Sequence, residues 1–402
     1  MKIAIIGGGA SGTVCAISIK QQDRNASVTV YERLPRVLKK ILVTGNGRCN
    51  LTNLNSSQDF FRGDTELVRP AFSKYPPKNN IEFFNKIGLL TFIEAQGRVY
   101  PMSAQANSVV NALLGEAKRL GVEFVTDTQI TDIKYQNGCY VLNGKFKADK
   151  IVISCGGSAA KAQGTDGSSF KLLKALGVKI REPKPALTGV VIKNFSASLK
   201  GVRRVSNIKL IIDGREVYSE LGEVQYNDYG ISGIPVMQFS GLVSTSKSDN
   251  IRIIIDSAPE LDINCLKEFF NTQKQHNPEM TAEILAAGIV PKSLGSYILK
   301  TAGIKNAELL KDINASRLSL FVAALKELSF EAESVRDFQY AQTTAGGVLA
   351  SELNPNTLEI KALKGVFVTG EAVNVDGLCG GHNLQWAWSS GRLAADGILK
   401  EN

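Results

Sequence analysis

Long apolar runs, paired cysteines and histidines are what this 402-residue sequence has least of. No stretch reaches the roughly 20 apolar residues of a membrane-spanning helix, and the N-terminal apolar stretch is too short and glycine-rich for a signal peptide. The six cysteines form no Cys-x-x-Cys pair, which predicts reduced thiols, a cytoplasmic location and no metal site. With 44% hydrophobic residues, the chain is expected to form a globular protein of two or three structural units.

Acidic residues are missing from one segment. The net charge is +9, and 183–212 holds six lysines and arginines with no acid. Such a segment predicts a surface that binds a polyanion such as ribosomal RNA. The contacts are assigned to Lys193, Lys200, Arg203, Arg204 and Lys209. The alternative is a solvated β-surface whose lysines protect strand edges.

The strongest motif lies in the first 33 residues. An apolar run, Lys2 to Ile6, ends in Gly7-Gly-Gly-Ala-Ser-Gly12, helical periodicity follows, and a second alternating run stops at Glu32. A strand, glycine turn, helix and strand, with an acid about twenty residues past the third glycine, indicate a dinucleotide-binding βαβ unit.

Each motif residue has a distinct expected role. Gly7 permits the turn, Gly9 lets backbone N–H groups approach a pyrophosphate, and Gly12 lets the helix pack against the strand. The phosphates then meet the positive end of the helix. Glu32 is expected to accept hydrogen bonds from the adenosine ribose. Its carboxylate repels a 2′-phosphate, so NADP is not predicted as the tightly held nucleotide.

The polar loop 43–53 follows, with two glycines and three asparagines. This composition predicts left-handed residues and inward-pointing N–H groups. We interpret the loop as a clamp over the cofactor's ribityl phosphate and ring, with Arg48 reaching phosphate or substrate and Lys39 or Lys40 near the adenosine. The alternative is a glycine-rich connector.

The chain is predicted to return to the first domain near its end. A strand within 364–369 stops at Gly370-Glu371, whose carboxylate can accept a hydrogen bond from a flavin ribityl chain. A helix from Leu384 through Ile398 would direct its positive end at the flavin pyrimidine, which favours FAD over NAD as the resident cofactor. No second dinucleotide motif follows, so NADH or NADPH is expected to dock transiently at the flavin face.

The predicted fold is α/β, with a Rossmann-like FAD-binding domain and an insert. We assign 1–187 and 339–402 to the FAD-binding domain, 188–257 to a β-rich insert, and 258–338 to a helical insert. The insert is expected to cover the cofactor and shape a substrate cleft.

The sequence resembles the BaiN/RdsA-type, YhiN-like flavoproteins. The matching segments are Gly7 to Gly12 with Glu32, Thr44-Gly-Asn-Gly-Arg-Cys-Asn50, Gly97-Arg-Val-Tyr-Pro101, Gly230-Ile-Ser-Gly233, Thr344-Ala-Gly-Gly-Val348 and Gly370 through Gly391. The resemblance implies a two-part FAD-binding fold of glutathione-reductase-like topology, whose insert combines a distorted β-barrel with helices. It also implies redox substrates ranging from unsaturated steroid ketones to a uracil in ribosomal RNA.

Two positions depart from the family pattern. His382 stands where the family usually has tyrosine, and Asn227-Asp228 stand where many relatives have Thr-His. The family's proton donor therefore cannot be carried over unchanged.

The residues expected to hold the cofactor lie in the glycine turns, the polar loop and the start of the last helix. They are Gly7, Gly9, Ala10, Ser11, Gly12, Glu32, Arg33, Lys40, Thr44, Gly45, Asn46, Gly47, Arg48, Cys49, Asn50, Ile130, Cys155, Gly156, Gly157, Gly370, Glu371, Gly381, His382, Asn383, Leu384 and Gln385.

Three of these residues are also candidates for the chemistry. Cys49 is either a proton donor or a small packing residue, and His382 is either a general acid of near-neutral pKa or a hydrogen-bonding residue that fixes its loop. Arg48 either holds an anionic or carbonyl group or forms a structural ion pair.

These features predict an FAD-dependent oxidoreductase that uses NADH or NADPH to reduce a C=C bond conjugated to a carbonyl. In that chemistry hydride from flavin N5 reaches the β-carbon and an acid protonates the α-carbon. The leading substrate is a uracil in ribosomal RNA, which would become dihydrouridine. One alternative is a small conjugated, steroid-like ketone. Another is a flavoprotein that binds RNA or a partner without turnover.

Overall fold

The computed structural model describes residues 1–400. They form two compact units, one of Met1–Ala186 with the segment from Phe338 onward, the other of Leu187–Asp337. The strands are β1 (Lys2–Ile6), β2 (Ser27–Tyr31), β3 (Thr52–Asn53), β4 (Phe61–Gly63), β5 (Thr91–Ile93), β6 (Arg98–Pro101), β7 (Glu123–Val125), β8 (Ile133–Gln136), β9 (Cys139–Leu142), β10 (Phe146–Ala148), β11 (Lys150–Ile153), β12 (Ile180–Ala186), β13 (Val190–Ile192), β14 (Arg203–Ile212), β15 (Arg215–Tyr226), β16 (Gly230–Ser232), β17 (Ile251–Asp256), β18 (Leu328–Val335), β19 (Thr343–Val348), β20 (Val366–Val368) and β21 (Val375–Gly377). The α-helices are α1 (Ala10–Gln22), α2 (Val68–Lys74), α3 (Pro77–Lys86), α4 (Ala106–Arg119), α5 (Ser168–Ala175), α6 (Ile234–Thr245), α7 (Ile263–His276), α8 (Ala282–Ala287), α9 (Lys292–Thr301), α10 (Ala315–Lys326) and α11 (His382–Lys400).

A five-stranded parallel sheet in the order β20-β11-β1-β2-β7 forms the centre of the first unit. The central strand β1 is buried from Ile3 to Ile6, as expected of a strand covered on both faces. Because β20 pairs with β11, the segment near the end of the chain completes the sheet that the first residues begin. This is the Rossmann-type, two-part arrangement predicted from the sequence.

Glycines let α1 and α11 approach their neighbours closely. A methyl group on Gly12 would lie 2.2 Å from the carbonyl oxygen of Gly7 and 2.4 Å from Ser154 Oγ. On α11, a methyl group on Gly391 would lie 2.4 Å from the carbonyl oxygen of Ser11. The absence of a side chain at Gly12 lets α1 lie beside the glycine turn, and its absence at Gly391 lets α11 lie against the start of α1.

The second unit contains a closed barrel in the order β13-β16-β15-β14-β17-β18. The predicted combination of a β-barrel with helices is thus confirmed. The order along the chain differs from the prediction, which placed a β-rich part before a helical part. The barrel strand β18 comes after the helices α7 to α10, and α6 lies inside the segment interpreted mostly as strands. Short apolar runs do not distinguish strand from helix. In this segment the left-handed Gly233 directly precedes α6, and Pro235 lies in the first turn of that helix, where proline is common.

Among residues 1–400, no helix combines the length and apolar character needed to span a bilayer. The longest helix, α11, has 19 residues and begins two residues earlier than the sequence pattern indicated. Its first residue is His382, which places a site candidate at the helix N-terminus.

We expect Gly12→Ala to lower the free energy of unfolding by about 1–3 kcal/mol, because its methyl group overlaps the turn backbone and that backbone cannot move freely. The control is Gly115→Ala in α4, where no atom lies within 4 Å of the added methyl group. There alanine is expected to be neutral or to stabilise the helix by roughly 0.5–1 kcal/mol. Urea unfolding of both variants measures the difference, and equal effects would contradict close packing at Gly12.

Candidate functional site

The glycine turn leaves the N-terminus of α1 open to a ligand. Gly7 is left-handed, with φ 106°, and Gly9 begins α1 without a side-chain cap. The nearest atom to a methyl group built on Gly9 would be Ser154 O, 4.0 Å away. The N–H groups of the first helical turn are therefore approachable, as a pyrophosphate site requires.

Glu32 lies beside this turn. One carboxylate oxygen accepts from the Gly8 N–H at 2.9 Å, and the other accepts from the Leu34 N–H at 2.9 Å. The next residue, Arg33, pairs with Asp166, and its Nε is buried without a hydrogen-bond partner within the described residues. The structure thus positions Glu32 at the turn, and its contact with a ribose stays a prediction.

A second glycine turn, 155–157, lies against a polar cluster. A methyl group on Gly157 would lie 2.3 Å from Thr344 Oγ1 and 2.8 Å from Glu371 Oε1. Thr344 Oγ1 donates to Glu371 Oε1 at 2.9 Å, and Lys40 Nζ contacts the other carboxylate oxygen at 2.7 Å. Lys40 and Glu371, predicted from distant segments, are thus brought together, and Thr344 joins them. Loss of water around the half-buried Cys155 raises its pKa to about 12.

The polar loop is left-handed at four of its positions. These are Gly45 (φ 55°), Asn46 (55°), Gly47 (81°) and Cys49 (59°). The prediction of left-handed residues is confirmed. Cys49 is fully buried in an apolar cluster, and burial raises its pKa to about 12. A thiol in that state gives up its proton poorly at neutral pH, so the packing interpretation fits better than the donor interpretation.

Arg48 is held by neighbouring side chains of the protein. Its guanidinium contacts both Glu94 carboxylate oxygens, at 2.8 and 3.1 Å, and lies 4.0 Å from the centroid of the Tyr100 ring. The hydrogen bonds to Glu94 raise the pKa of Arg48 further above its already high value. Of the two interpretations of Arg48, the structure contains the ion pair.

His382 is buried at the start of α11. Its Nδ1 lies 2.6 Å from Ser56 Oγ, and its ring stacks on Phe60 with centroids 4.4 Å apart. Loss of water on burial, with a further contribution from Arg98, lowers its pKa to about 4. The expected near-neutral pKa is therefore wrong, and the imidazole is neutral at pH 7. The bond to Ser56 fits the alternative role, in which His382 fixes the segment around it.

The remaining residues at the start of α11 also bond within the protein. Asn383 bonds both the N–H and the C=O of Gly377, at 2.8 and 2.7 Å. Gln385 is buried and bonds Thr52 Oγ1, Tyr75 O and Ser389 Oγ, so its hydrogen bonds do not support the predicted cofactor contact. Ile130 likewise lies in an apolar cluster.

The site residues predicted from the sequence do not include Thr344 and Asp376, which lie close to Glu371 in the structure. Asp376 lies on β21 opposite Arg62 on β4 and is 6% exposed. Burial raises its pKa to about 6, with Glu371 adding to the shift and Arg62 opposing it. The sequence feature that could have drawn attention to Asp376 is an acid in a short strand just before the last helix.

The residues present fit an FAD molecule at the glycine turns. The N-terminus of α1 has no capping side chain, and Gly9 leaves room for a phosphate to approach it. The buried polar atoms without a hydrogen-bond partner within residues 1–400 include Arg33 Nε, next to Glu32, and Asn50 Oδ1, in the polar loop. Buried polar groups in native proteins are normally satisfied, so these atoms are suited to a polar ligand. In the same residues, no three His, Cys, Asp or Glu side chains come together as metal ligands.

The five basic residues that predicted RNA binding each have an acidic neighbour. The pairs are Lys193–Glu331 (3.4 Å), Lys200–Asp228 (3.2 Å), Arg203–Glu223 (3.7 Å), Arg204–Glu260 (3.0 Å) and Lys209–Glu216 (3.0 Å). All five acids lie outside the segment 183–212, so the surface around these cations carries charges of both signs. Exposed pairs of this kind contribute about 0–1 kcal/mol, so each cation remains exchangeable.

The chain is similar to known proteins along nearly its whole length. The family described as "HI0933-like protein Rossmann domain" matches residues 1–397. A 3-dehydro-bile acid delta(4,6)-reductase of Clostridium scindens is 35% identical, over 98% of both chains. A ribosomal RNA dihydrouridine synthase of Escherichia coli is 25% identical, over 98% of this chain and 97% of its own.

Solved structures share the fold at low identity. A 3-ketosteroid delta1-dehydrogenase from Sterolibacterium denitrificans has a TM-score of 0.53 and 13% identity, covering 100% of this chain and 99% of its own. A flavocytochrome c3 fumarate reductase has a TM-score of 0.52 and 14% identity, covering 99% of this chain and 78% of its own. The fold is therefore that of these flavoproteins.

We expect His382→Gln to remove a loss of stability in acid. A histidine whose pKa is lower in the folded state takes up its proton on unfolding, so its contribution to stability falls between about pH 6.5 and 4. From pH 7 to 5 the wild type should lose roughly 2 kcal/mol more than the variant, measured by urea unfolding. The control is the exposed His276→Gln, which should follow the wild type. Parallel curves for wild type and His382→Gln would contradict a buried neutral imidazole.

Proposed function

Because the chain belongs to the HI0933-like Rossmann-domain family, whose members are FAD-dependent oxidoreductases, we propose that it reduces a C=C bond conjugated to a carbonyl, driven by NADH or NADPH. The observation that carries this proposal is the pairing of an FAD-type glycine site with end-to-end similarity, at 35% identity, to a protein named as a reductase of such bonds. The protein named as a dihydrouridine synthase implies the same chemistry, since uracil contains a C=C bond conjugated to a carbonyl.

The protein's own groups have defined tasks in this function. The first turn of α1 binds the FAD pyrophosphate through its N–H groups, and Glu32 binds the adenosine ribose. The cluster of Lys40, Thr344 and Glu371 orients the ribityl chain, for which it offers both donors and an acceptor. Bound FAD supplies hydride transfer between the nicotinamide reductant and the substrate. The N-terminus of α11 favours negative charge on the ring.

A small conjugated ketone is the substrate that we favour. The relative with the bile-acid name has the higher of the two identities, 35% against 25%. In addition, the five basic residues that predicted RNA binding each have an acid within 3.0–3.7 Å, which lowers the net positive charge of that surface. A ribosomal RNA uracil is the second candidate, supported by the end-to-end match to the synthase of E. coli. The cytoplasmic location remains a prediction of the sequence.

We expect Glu32→Ala to weaken FAD binding about ten- to hundred-fold, since it removes charge-assisted hydrogen bonds that contribute roughly 1.5–3 kcal/mol. Flavin fluorescence titration of the stripped protein measures the dissociation constant. The control is Glu123→Gln on the neighbouring strand β7, whose carboxylate bonds Thr29. If Glu32→Ala retains wild-type affinity, the adenosine end of the cofactor does not lie beside Glu32.

Two substrates separate the candidate functions. We expect the protein, reduced by NADPH or NADH without oxygen, to be reoxidised by a steroid 4-en-3-one at least tenfold faster than by a uracil-containing ribosomal RNA fragment. Stopped-flow absorbance of the flavin measures both rates. The reverse order would favour the RNA reaction, and reoxidation by neither substrate would favour a flavoprotein without this turnover.

RNA binding is tested separately through its salt dependence. For single strands the slope of log affinity against log salt is about −0.7 per neutralised phosphate, whereas a protein that does not use the RNA backbone shows no such slope. With the five cations paired, we expect weak binding that the charge reversals Arg203→Glu and Arg204→Glu leave within threefold of wild type. Filter binding across salt measures it. A steep slope that these reversals abolish would restore the second unit as an RNA surface.

A further inference from the structure

The positive charge of the chain belongs to the first unit. The second unit, Leu187–Asp337, has 17 lysines and arginines and 18 acidic residues, so its net charge is −1. The rest of the chain has the other 30 of the 47 basic residues and the other 20 of the 38 acidic ones, which gives a net charge of +10. A polyanion is therefore attracted to the FAD-binding unit more strongly than to the barrel unit.

One stretch of the first unit concentrates these cations. Residues 168–184, from the start of α5 into β12, have five basic residues and a single acid, Glu182. The five are exposed, and we call them the α5–β12 patch: Lys171, Lys174, Lys179, Arg181 and Lys184. Lys174 lies 3.6 Å from Glu182, and this contact joins the helix to the strand at the patch. Within residues 1–400, the other four cations form no ion pair.

The backbone beneath the patch is held in place by packing. On α5 the side chains between the two lysines, Leu172 and Leu173, are buried in an apolar cluster with Val178. On β12, Arg181 and Lys184 are paired with residues of β19. The cations therefore stand on a fixed surface, and only their side chains lose freedom when they bind a ligand.

The patch lacks the exposed apolar residues that a protein partner or a membrane requires. In the described part of the chain, no large hydrophobic side chain is exposed between Tyr135 and Val205. Protein interfaces have an apolar, often aromatic core, and peripheral membrane helices bury an apolar face in the bilayer. A surface of lysines and an arginine suits a ligand bound by charge through several phosphates, as the backbone of a nucleic acid is.

The patch also lies near the cofactor site. The N–H of Gly167, just before α5, donates to the carbonyl oxygen of Gly157 at 3.0 Å, and Ser169 Oγ donates to the carbonyl oxygen of Gly156 at 2.9 Å. These bonds attach the start of α5 to the second glycine turn. Because α5 has 8 residues and is about 12 Å long, its two lysines lie within roughly that distance of the turn along the helix axis.

We propose that the α5–β12 patch binds the phosphate backbone of RNA. The choice of RNA rests on the second candidate function above, a uracil in ribosomal RNA, and the patch holds such a strand beside the glycine turns of the FAD-binding unit. Contacts of this kind neutralise phosphates without recognising bases, so the affinity depends on salt and not on sequence. Glu182 and Glu352, whose carboxylate lies 3.5 Å from the Lys179 backbone nitrogen, offset part of the charge and leave the patch positive.

The binding test compares two double variants that change the net charge equally. Lys171→Glu with Arg181→Glu reverses two cations of the patch, and the control, Lys247→Glu with Lys267→Glu, reverses two exposed cations of the second unit. The probe is a uracil-containing ribosomal RNA fragment, and fluorescence anisotropy across salt measures its binding. With one phosphate neutralised by each of the four unpaired cations, the wild-type slope of log affinity against log salt is about −3.

We expect the patch variant to bind the RNA at least tenfold more weakly than wild type, with a slope of about −1.5, since two phosphate contacts are lost. The control should stay within threefold of wild type and keep its slope. A flat wild-type response would overturn the patch as an RNA surface. An equal loss in both variants would also overturn it, because net charge alone then explains the binding. Sedimentation with phosphatidylserine vesicles through the same residues, without RNA binding, would overturn it in favour of a membrane.

Stopped-flow reoxidation of the reduced flavin by the same RNA separates the surface from the function on which it rests. If the RNA binds through the patch but does not reoxidise the wild-type flavin, the surface stands and the second candidate function fails. If the RNA reoxidises the wild type and the patch variant at equal rates below saturation, the function stands and the surface is overturned. Slower reoxidation of the patch variant at low RNA concentration, with an equal rate at saturation, supports both.

Discussion

The close approach of α1 to the central sheet is the constraint on which the rest of the first unit depends. Gly12 brings the helix onto the turn at Gly7, and Gly391 brings α11 onto the same part of α1. A side chain at either glycine would push one of the helices away. Since α11 begins at His382 and contacts Gly377 through Asn383, the position of α1 also fixes the segment that carries Asp376.

Burial then separates the chemical properties of the ionisable groups in this unit. The same loss of water lowers the pKa of His382 and raises that of Asp376, since burial disfavours the charged form of each. It makes the thiols of Cys49 and Cys155 poor acids. Residue type alone therefore does not indicate which of these groups titrates near neutral pH, although histidine and cysteine titrate nearer to neutral pH than aspartate in water.

Pairing across the barrel changes the interpretation of the basic segment in a similar way. Local sequence shows cations without acids from 183 to 212. In the folded barrel, β15 alone supplies Glu216 and Glu223 to Lys209 and Arg203 on the neighbouring strand β14. Charge counted along the chain is thus a poor guide to charge on a β-surface, where the nearest neighbours belong to other strands.

The sequence by itself determined the Rossmann-type unit, its return at the end of the chain and its FAD-binding family, because glycine turns, an acid at a fixed spacing and an apolar strand act through local backbone geometry. It also determined the left-handed loop at Gly45 to Cys49, which glycine and asparagine favour. Only the tertiary structure decided that Arg48 pairs with Glu94, that Lys40 meets Glu371, and that Asp376 is buried beside the last helix. These contacts join residues far apart in sequence, and the degree of burial that sets their charge exists only once the strands and helices have packed together.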